Sequence, residues 1–303
     1  MRTTTKRLYQ QVHSPSDGSG PGRMGRPSRT DRSEKRHASP LRILCGGLLA
    51  LFLAGILALI AADLAYLAAK GVGWPQAISL LGEERIIFAL RMSVATSLTT
   101  LILVMLTAVP IGYALARYRF PGRSFANTLI DAPIVMPPIV IGISILAFFS
   151  FGIGDPIKHA LESLHLSLVS GLGIVMCQYL VAVSYCIRSA KSAFESVAPD
   201  LEKVACVLGC SEWHTFWRVS IPLARNGLVA GGVMAWARAI GVFGPLMVLV
   251  GTGPRVLVMP TTLWLELSIG NVETAVCIAL IMLAMAGIAL TVVHWLEPGG
   301  STV

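Results

Sequence analysis

The sequence predicts an all-α protein, a polytopic membrane bundle of six transmembrane helices with a cytoplasmic elbow of two short helices. Composition supports the membrane assignment, because 54% of the 303 residues are hydrophobic and only 13% are charged. A typical soluble domain has about 25% charged residues, and a soluble core could not cover this much apolar surface. The lengths of the apolar stretches give the number of spans, and the distribution of basic residues gives their orientation.

Six apolar stretches are long enough to cross a membrane. A helix needs about 20 residues to span about 30 Å of hydrocarbon. The predicted spans lie at about residues 43–62, 92–116, 125–151, 166–187, 226–250 and 272–295. Together they define a transmembrane domain over residues 43–296. The longest polar interruption, residues 188–225, separates the fourth span from the fifth and is called the elbow.

Basic residues are unevenly distributed between the two sides of these spans. With the N terminus inside, the inner segments hold 18 lysines and arginines and the outer segments hold five. Cytoplasmic segments of membrane proteins carry such an excess. The elbow and both termini are therefore predicted to be cytoplasmic, in a multi-pass protein of the inner membrane.

Most of the net charge of +8 lies in residues 1–42, which contain ten basic and three acidic residues. This stretch is rich in Ser, Gly and Pro and has no hydrophobic periodicity, so it is predicted to be a disordered cytoplasmic tail. Its charge suits a topology signal or attraction to lipid headgroups. Because little positive charge remains elsewhere, the basic balance does not indicate a nucleic-acid partner.

The elbow contains an amphipathic helix that begins at Pro199. Pro suits the first helical position, and acidic residues follow in the first turn. One face is apolar, formed by Leu201, Val204, Ala205 and Leu208. Gly209 can take the left-handed conformation that ends a helix, and Ser211 can cap a second helix, which Pro222 either stops or kinks. The apolar face is suited either to docking on a protein or to lying on lipid headgroups.

Gly209, followed after a gap by Ile221-Pro222-Leu223, resembles the EAA loop of the permease subunits of binding-protein-dependent ABC importers. That motif reads Glu-Ala-Ala, three residues, Gly, nine or ten residues, Leu-Pro. Here the triplet positions hold Lys203, Val204 and Ala205, and Glu202 stands one residue early. The resemblance implies that the first elbow helix is a coupling helix for an ATPase subunit. The residues assigned to this coupling are Leu201, Glu202, Lys203, Val204, Ala205, Leu208, Gly209 and Pro222.

The third predicted span is interrupted by a cluster of prolines. It contains Pro133, Pro137, Pro138 and then Gly142. Each proline removes a backbone donor, and non-helical backbone within a membrane must be buried in protein or line a water-filled cavity. The cluster indicates a broken helix beside a translocation pathway, with a packed kink as the alternative.

Arg238 is a basic residue deep within the fifth predicted span. A charge at this depth costs about 2.5–3.5 kcal/mol on insertion scales, so it should face a partner or water. The stretch from Arg238 resembles permeases of the sulfate, molybdate and tungstate branch, in which an arginine precedes Gly-Glu-Phe-Gly; here Val242 replaces the glutamate. Gly241, Phe243 and Gly244 are assigned to the pathway with it. Arg238 either meets an anion in that pathway or pairs with another helix or subunit.

The resemblance implies a transport subunit and not an enzyme. The sequence contains no GxxxxGK[ST] phosphate loop, HExxH or GxSxG motif. ATP and Mg would therefore bind to a separate ATPase, and this chain is expected to hold no cofactor or metal. The expected partners are ABC ATPase subunits, a second permease subunit, a periplasmic or lipid-anchored substrate-binding protein, and membrane lipid.

Three alternatives remain at this stage. Permeases for iron, thiamine or polyamines share the features of the oxyanion branch. A secondary transporter would need ionisable groups buried near the membrane midplane, and the chain has few. An intramembrane enzyme would need a catalytic set at depth, and the spans offer none.

Overall fold

The computed structural model of the protein describes residues 40–150, 154, 156, 171–249, 251 and 257–296. Within these ranges every regular element is a helix. The predicted tail, residues 1–42, lies outside the described residues except for its last three, which belong to the first helix. The contacts within the chain divide it into two units, residues 1–56 and 57–303.

The chain forms twelve described helices, with a π-helical turn at Phe216–Ser220 between α8 and α9. Their bounds are α1 Pro40–Ala69, α2 Trp74–Leu81, α3 Glu84–Arg117, α4 Arg123–Val135, α5 Pro138–Ser150, α6 Gly171–Ser196, α7 Pro199–Val207, α8 Glu212–Thr215, α9 Ile221–Ile240, α10 Gly244–Leu249, α11 Met259–Ser268 and α12 Val272–Leu296.

Four of the described helices, α1, α3, α6 and α12, are long and apolar enough to cross a membrane. The bent pair α4 and α5 makes a fifth span if the two helices are counted together. The predicted fifth span is divided, because α9 ends at Ile240 and α10 begins at Gly244. The fourth span extends nine residues into the predicted elbow before α6 ends.

Helices α3, α6 and α9 pack closely through small residues. A Cβ atom at Gly112 of α3 would lie 2.7 Å from the Cβ of Ala190 in α6. A Cβ at Gly231 of α9 would lie 2.6 Å from the Cβ of Ser189. Glycines at these crossings let helix backbones approach, as is common between membrane helices. The three helices therefore form a tightly packed core.

Hydrogen bonds that are buried or partly buried join the same three helices. Thr100 of α3 donates to the side-chain oxygen of Gln178 in α6 at 3.0 Å. The indole N–H of Trp236 in α9 donates to the Ser97 hydroxyl at 3.0 Å. Polar contacts of this kind satisfy groups that would otherwise lie unpaired in an apolar environment. They also fix the rotation of each helix relative to its neighbours.

The region between the fifth and sixth predicted spans contains a half-buried helix, α11. Pro260 lies in its first turn, and the backbone N–H of Met259 donates to the Ser93 hydroxyl of α3 at 2.7 Å. Glu266, predicted to lie in this loop, is buried. It is paired with Arg85 at 3.5 Å. The stretch lies outside the six predicted spans and was interpreted as a loop, and the helix α11 shows that this interpretation was wrong.

Candidate functional site

The elbow helix α7 forms from local signals. Pro199 occupies its first turn together with Asp200 and Glu202. The helix ends at Val207, and Gly209 follows with a φ of 92°, a left-handed conformation that glycine adopts without steric cost. The Ser211 hydroxyl accepts a hydrogen bond from the backbone N–H of His214 at 3.2 Å. The predicted left-handed glycine and the predicted cap of the second helix are confirmed.

One side of α7 and the turn after it present apolar residues to the outside. Leu201 and Val204 are about half exposed, whereas Val207 is 86% and Leu208 is 79% exposed. Asp200 and Lys203 form an ion pair of 2.8 Å on the surface. This hydrogen bond holds the pKa of the Asp200 carboxyl below its usual value. Exposed apolar side chains clustered in a polar segment indicate a surface that contacts another molecule.

Glu202 does not belong to this exposed surface. Its side chain is 12% exposed, and its carboxylate is 2.9 Å from Nε of Arg117 at the end of α3. Ala205 is also partly buried, on the side of α7 that faces the rest of the chain. The predicted coupling residues are therefore divided between the outer and the inner sides of α7.

The second half of the elbow differs from the predicted single helix. After α8 the chain makes a π-helical turn, in which the N–H of Ile221 donates to the carbonyl of Phe216, five residues earlier. Pro222 lies in the first turn of α9 and does not end a helix. Trp213 and Trp217 are exposed, and their ring centroids are 5.8 Å apart. The sequence did not indicate the π-helical turn.

The third predicted span is broken where the prolines cluster. Helix α4 ends at Val135, Met136 is extended, and α5 begins at Pro138 with a bend of 111° between the two helices. A residue before proline is disfavoured in the helical conformation, which explains why the break includes Met136. Pro133 lies within α4, two residues before its end.

Several of the residues assigned to the pathway line one cavity of about 250 Å³, here called the kink cavity. It lies where the start of α5 meets the gap between α9 and α10. The cavity is lined by Pro138, Val181, Ala237, Arg238, Gly241, Val242, Phe243 and Gly244. Pro133 and Pro137 are not among these residues. Gly142 also lies outside the lining, and a Cβ there would be 2.7 Å from the Cα of Pro245 in α10.

Arg238 is exposed at the kink cavity and stacks on an aromatic ring. Its guanidinium carbon is 5.3 Å from the ring centroid of Tyr185 in α6, within the range of a cation–π contact. In the described part of the chain, no carboxylate lies within 4.0 Å of it. Sequence reasoning missed Tyr185, because nothing local links it to a residue 53 positions away.

Long apolar helices, a broken span with a cavity at the break, and an elbow with an exposed apolar helix are the features of a membrane transport component. A bacterial ABC transporter involved in alginate import shares the fold, with a TM-score of 0.59 at 17% identity, over 82% of this chain and 94% of that one. Residues 108–300 match the family described as "Binding-protein-dependent transport system inner membrane component". The chain belongs to this family of ABC importer permeases.

Named relatives come from the oxyanion branch. The molybdenum transport system permease protein of Mycobacterium bovis is 31% identical, over 76% of this chain and 87% of that protein. The molybdate/tungstate transport system permease protein of Thermococcus kodakarensis is 36% identical, over 56% of this chain and 64% of that protein. A sulfate transport system permease protein of Synechococcus elongatus is 28% identical, over 72% of this chain and 75% of that protein. The alignments span 62% to 64% of the length of three archaeal relatives.

Proposed function

We propose that the chain is the membrane-spanning permease subunit of an ATP-driven importer and forms the pathway for a tetrahedral oxyanion such as molybdate, tungstate or sulfate. The observation that carries this proposal is the exposed apolar face of α7, centred on Val207 and Leu208. In the sequence, this helix lies between α6 and α9, which are two helices of the packed core. A partner that binds and moves α7 would therefore move the core.

Membership of the family supports the following set of partners. ATP and Mg bind to separate ATPase subunits that dock on the coupling helix α7, and this chain itself holds no cofactor. A second permease subunit completes the pathway, and a periplasmic or lipid-anchored binding protein delivers the solute. Six spans result if α4–α5 and α9–α10 each count as one bent span beside α1, α3, α6 and α12. Both termini and the elbow are then cytoplasmic.

The kink cavity gives the proposal its substrate class. Arginine offers planar, charge-assisted hydrogen bonds that match an oxyanion. The guanidinium of Arg238 carries these donors, and its contact with the Tyr185 ring holds it beside the cavity. The same positive charge would repel iron, thiamine or a polyamine, which disfavours the alternative importers. The names of the relatives agree with an oxyanion.

Site-specific photocrosslinking tests the docking role. A benzoylphenylalanine residue placed at Val207 of the full-length chain should capture the ATPase subunit in membranes that contain the assembled transporter. Ser268, an exposed residue of α11, is the matched control and should capture none, because the proposed topology places it on the outer side. Capture of the ATPase at Ser268 and not at Val207 would reverse the topology and refute the proposal.

A further inference from the structure

The carboxylate of Glu202 lies where three elements meet. Its Oε1 accepts hydrogen bonds from Nε of Arg117 at 3.0 Å and from the Ser220 hydroxyl at 2.7 Å. The Tyr113 hydroxyl donates to Oε2 at 3.5 Å. Arg117 and Tyr113 belong to α3, Glu202 to α7, and Ser220 to the π-helical turn before α9. One side chain therefore connects the elbow helix to a span that is distant in sequence.

Arg117 extends this connection to the corner between α6 and α7. Its second amino group donates to the carbonyl oxygen of Val197 at 2.9 Å. The side chains of Arg117 and Glu202 are only 11% and 12% exposed. An ion pair that is so little exposed is held in one geometry and is weakly screened by salt. Residues at the ends of α3 and α6 and at the start of α9 are thereby fixed to α7.

Glu202 is poorly placed to contact an external protein. Its carboxylate could reach a partner only by leaving Arg117, which would strand a buried charge. The position where the EAA motif has its acid is Lys203, which points outward with 73% of its side chain exposed. The shift of the acid by one residue therefore turns it from the outer side of α7 to the inner side.

We propose that the Arg117–Glu202 pair positions α7 and transmits its displacement to the span α3. This inference rests on the docking role proposed for α7. Without the pair, α7 is joined to its neighbours by the short connections on either side of it and can tilt on them. With the pair intact, a displacement of α7 carries α3 as well as α6 and α9.

The test uses the assembled transporter in proteoliposomes and measures molybdate uptake per ATP hydrolysed. Glu202→Gln keeps the size of the side chain and one acceptor oxygen but removes the charge that pairs with Arg117. It should lower uptake per ATP at least about tenfold, while the ATPase stays bound and active. Arg117→Gln should do the same. The double variant should be no worse than the worse single variant, because both residues act through one contact.

Two exposed residues provide matched controls. Arg119→Gln and Glu212→Gln remove the same charges nearby, and they should keep the wild-type ratio. Ser220→Ala keeps the ion pair but loses the hydrogen bond to Glu202. It should lower uptake per ATP by about two- to fivefold. This milder variant gives the answer if Glu202→Gln does not accumulate in the membrane.

Several results would overturn the positioning role. One is wild-type uptake per ATP in Glu202→Gln and Arg117→Gln. The others are additive losses in the double variant and unchanged uptake per ATP in Ser220→Ala. Loss of the ATPase from purified Glu202→Gln complexes would show instead that Glu202 serves docking. If the wild-type chain itself never retains an ATPase, the proposed function fails and not the role of the pair alone.

Discussion

Gly142 of α5 lies against the backbone of Pro245 in α10, and Gly142→Ala tests this packing directly. A methyl group at position 142 would lie 2.7 Å from the Cα and 2.8 Å from the carbonyl oxygen of Pro245. Nonbonded carbons are in optimal contact at about 3.5–4.0 Å, so the two helices must separate by roughly 1 Å. Both contacted atoms belong to the backbone, and no change of side-chain rotamer can relieve the clash.

The expected magnitude follows from overpacking. Inserting a methyl group into a well-packed site costs about 1–3 kcal/mol. For a large domain, 1 kcal/mol shifts the unfolding midpoint by about 2–4 °C, so the midpoint of Gly142→Ala should fall by roughly 2–12 °C. Thermal unfolding of the purified permease in lipid nanodiscs, followed by tryptophan fluorescence, measures this shift. Because α5 and α10 also border the kink cavity, the KM for uptake should rise in the same variant.

Gly287→Ala in α12 is the control for this experiment. Apart from the adjacent backbone of α12, no atom of the described residues lies within 4 Å of a Cβ at Gly287, and alanine is better in a helix interior than glycine by about 1 kcal/mol. The midpoint of this variant should therefore equal or exceed that of the wild type. If Gly142→Ala also unfolds at the wild-type temperature, α5 and α10 do not touch at this position and the described kink cavity loses its basis.

Two further predictions concern the elbow and the cavity. A Cβ at Gly209 has no atom of the described residues within 4 Å, but Gly209→Val must adopt a φ of 92°. This conformation costs about 1–2 kcal/mol, so uptake per ATP should fall about five- to thirtyfold. Asparagine tolerates this conformation. If Gly209→Asn were as impaired as Gly209→Val, the loss could not be explained by the positive φ of the backbone. Arg238→Ala should raise the KM for molybdate about tenfold or more with normal membrane insertion, and Tyr185→Leu should raise it further than Tyr185→Phe, which keeps the ring. Unchanged uptake by Arg238→Ala would remove the anion role.

Elements fixed by local signals could be predicted from the sequence. The start of α7 at Pro199, the turn at Gly209 and the cap at Ser211 each depend on residues within a few positions of one another. The break in the third span was predicted for the same reason, because the prolines act on their own backbone. The bend of 111° was not predicted, since it depends on packing against α10.

Features that depend on distant residues could not be predicted. Glu202 was assigned to coupling with the ATPase subunit, but its partner Arg117 lies 85 positions earlier in the chain. The helix α11 was taken for a loop, although Pro260 marks its first turn. Its burial comes from contacts with α3, such as the bond between Met259 and Ser93, which no local pattern reveals.

The arrangement of rigid and broken elements indicates how motion at the elbow reaches the kink cavity. Near the elbow α6 and α9 are held together, because the Ser189 hydroxyl donates to the carbonyl of Gly227 at 3.0 Å and Gly231 packs against Ser189. A displacement of α7 therefore does not separate α6 from α9, and the contact between Tyr185 and Arg238 travels with them. Among the described helices that border the kink cavity, helical hydrogen bonding is interrupted between α4 and α5 and between α9 and α10, and the backbone can bend there. Both interruptions adjoin the kink cavity, so we expect the elbow to change access to Arg238 by moving α5 and α10 relative to the core, while Arg238 keeps its position relative to Tyr185.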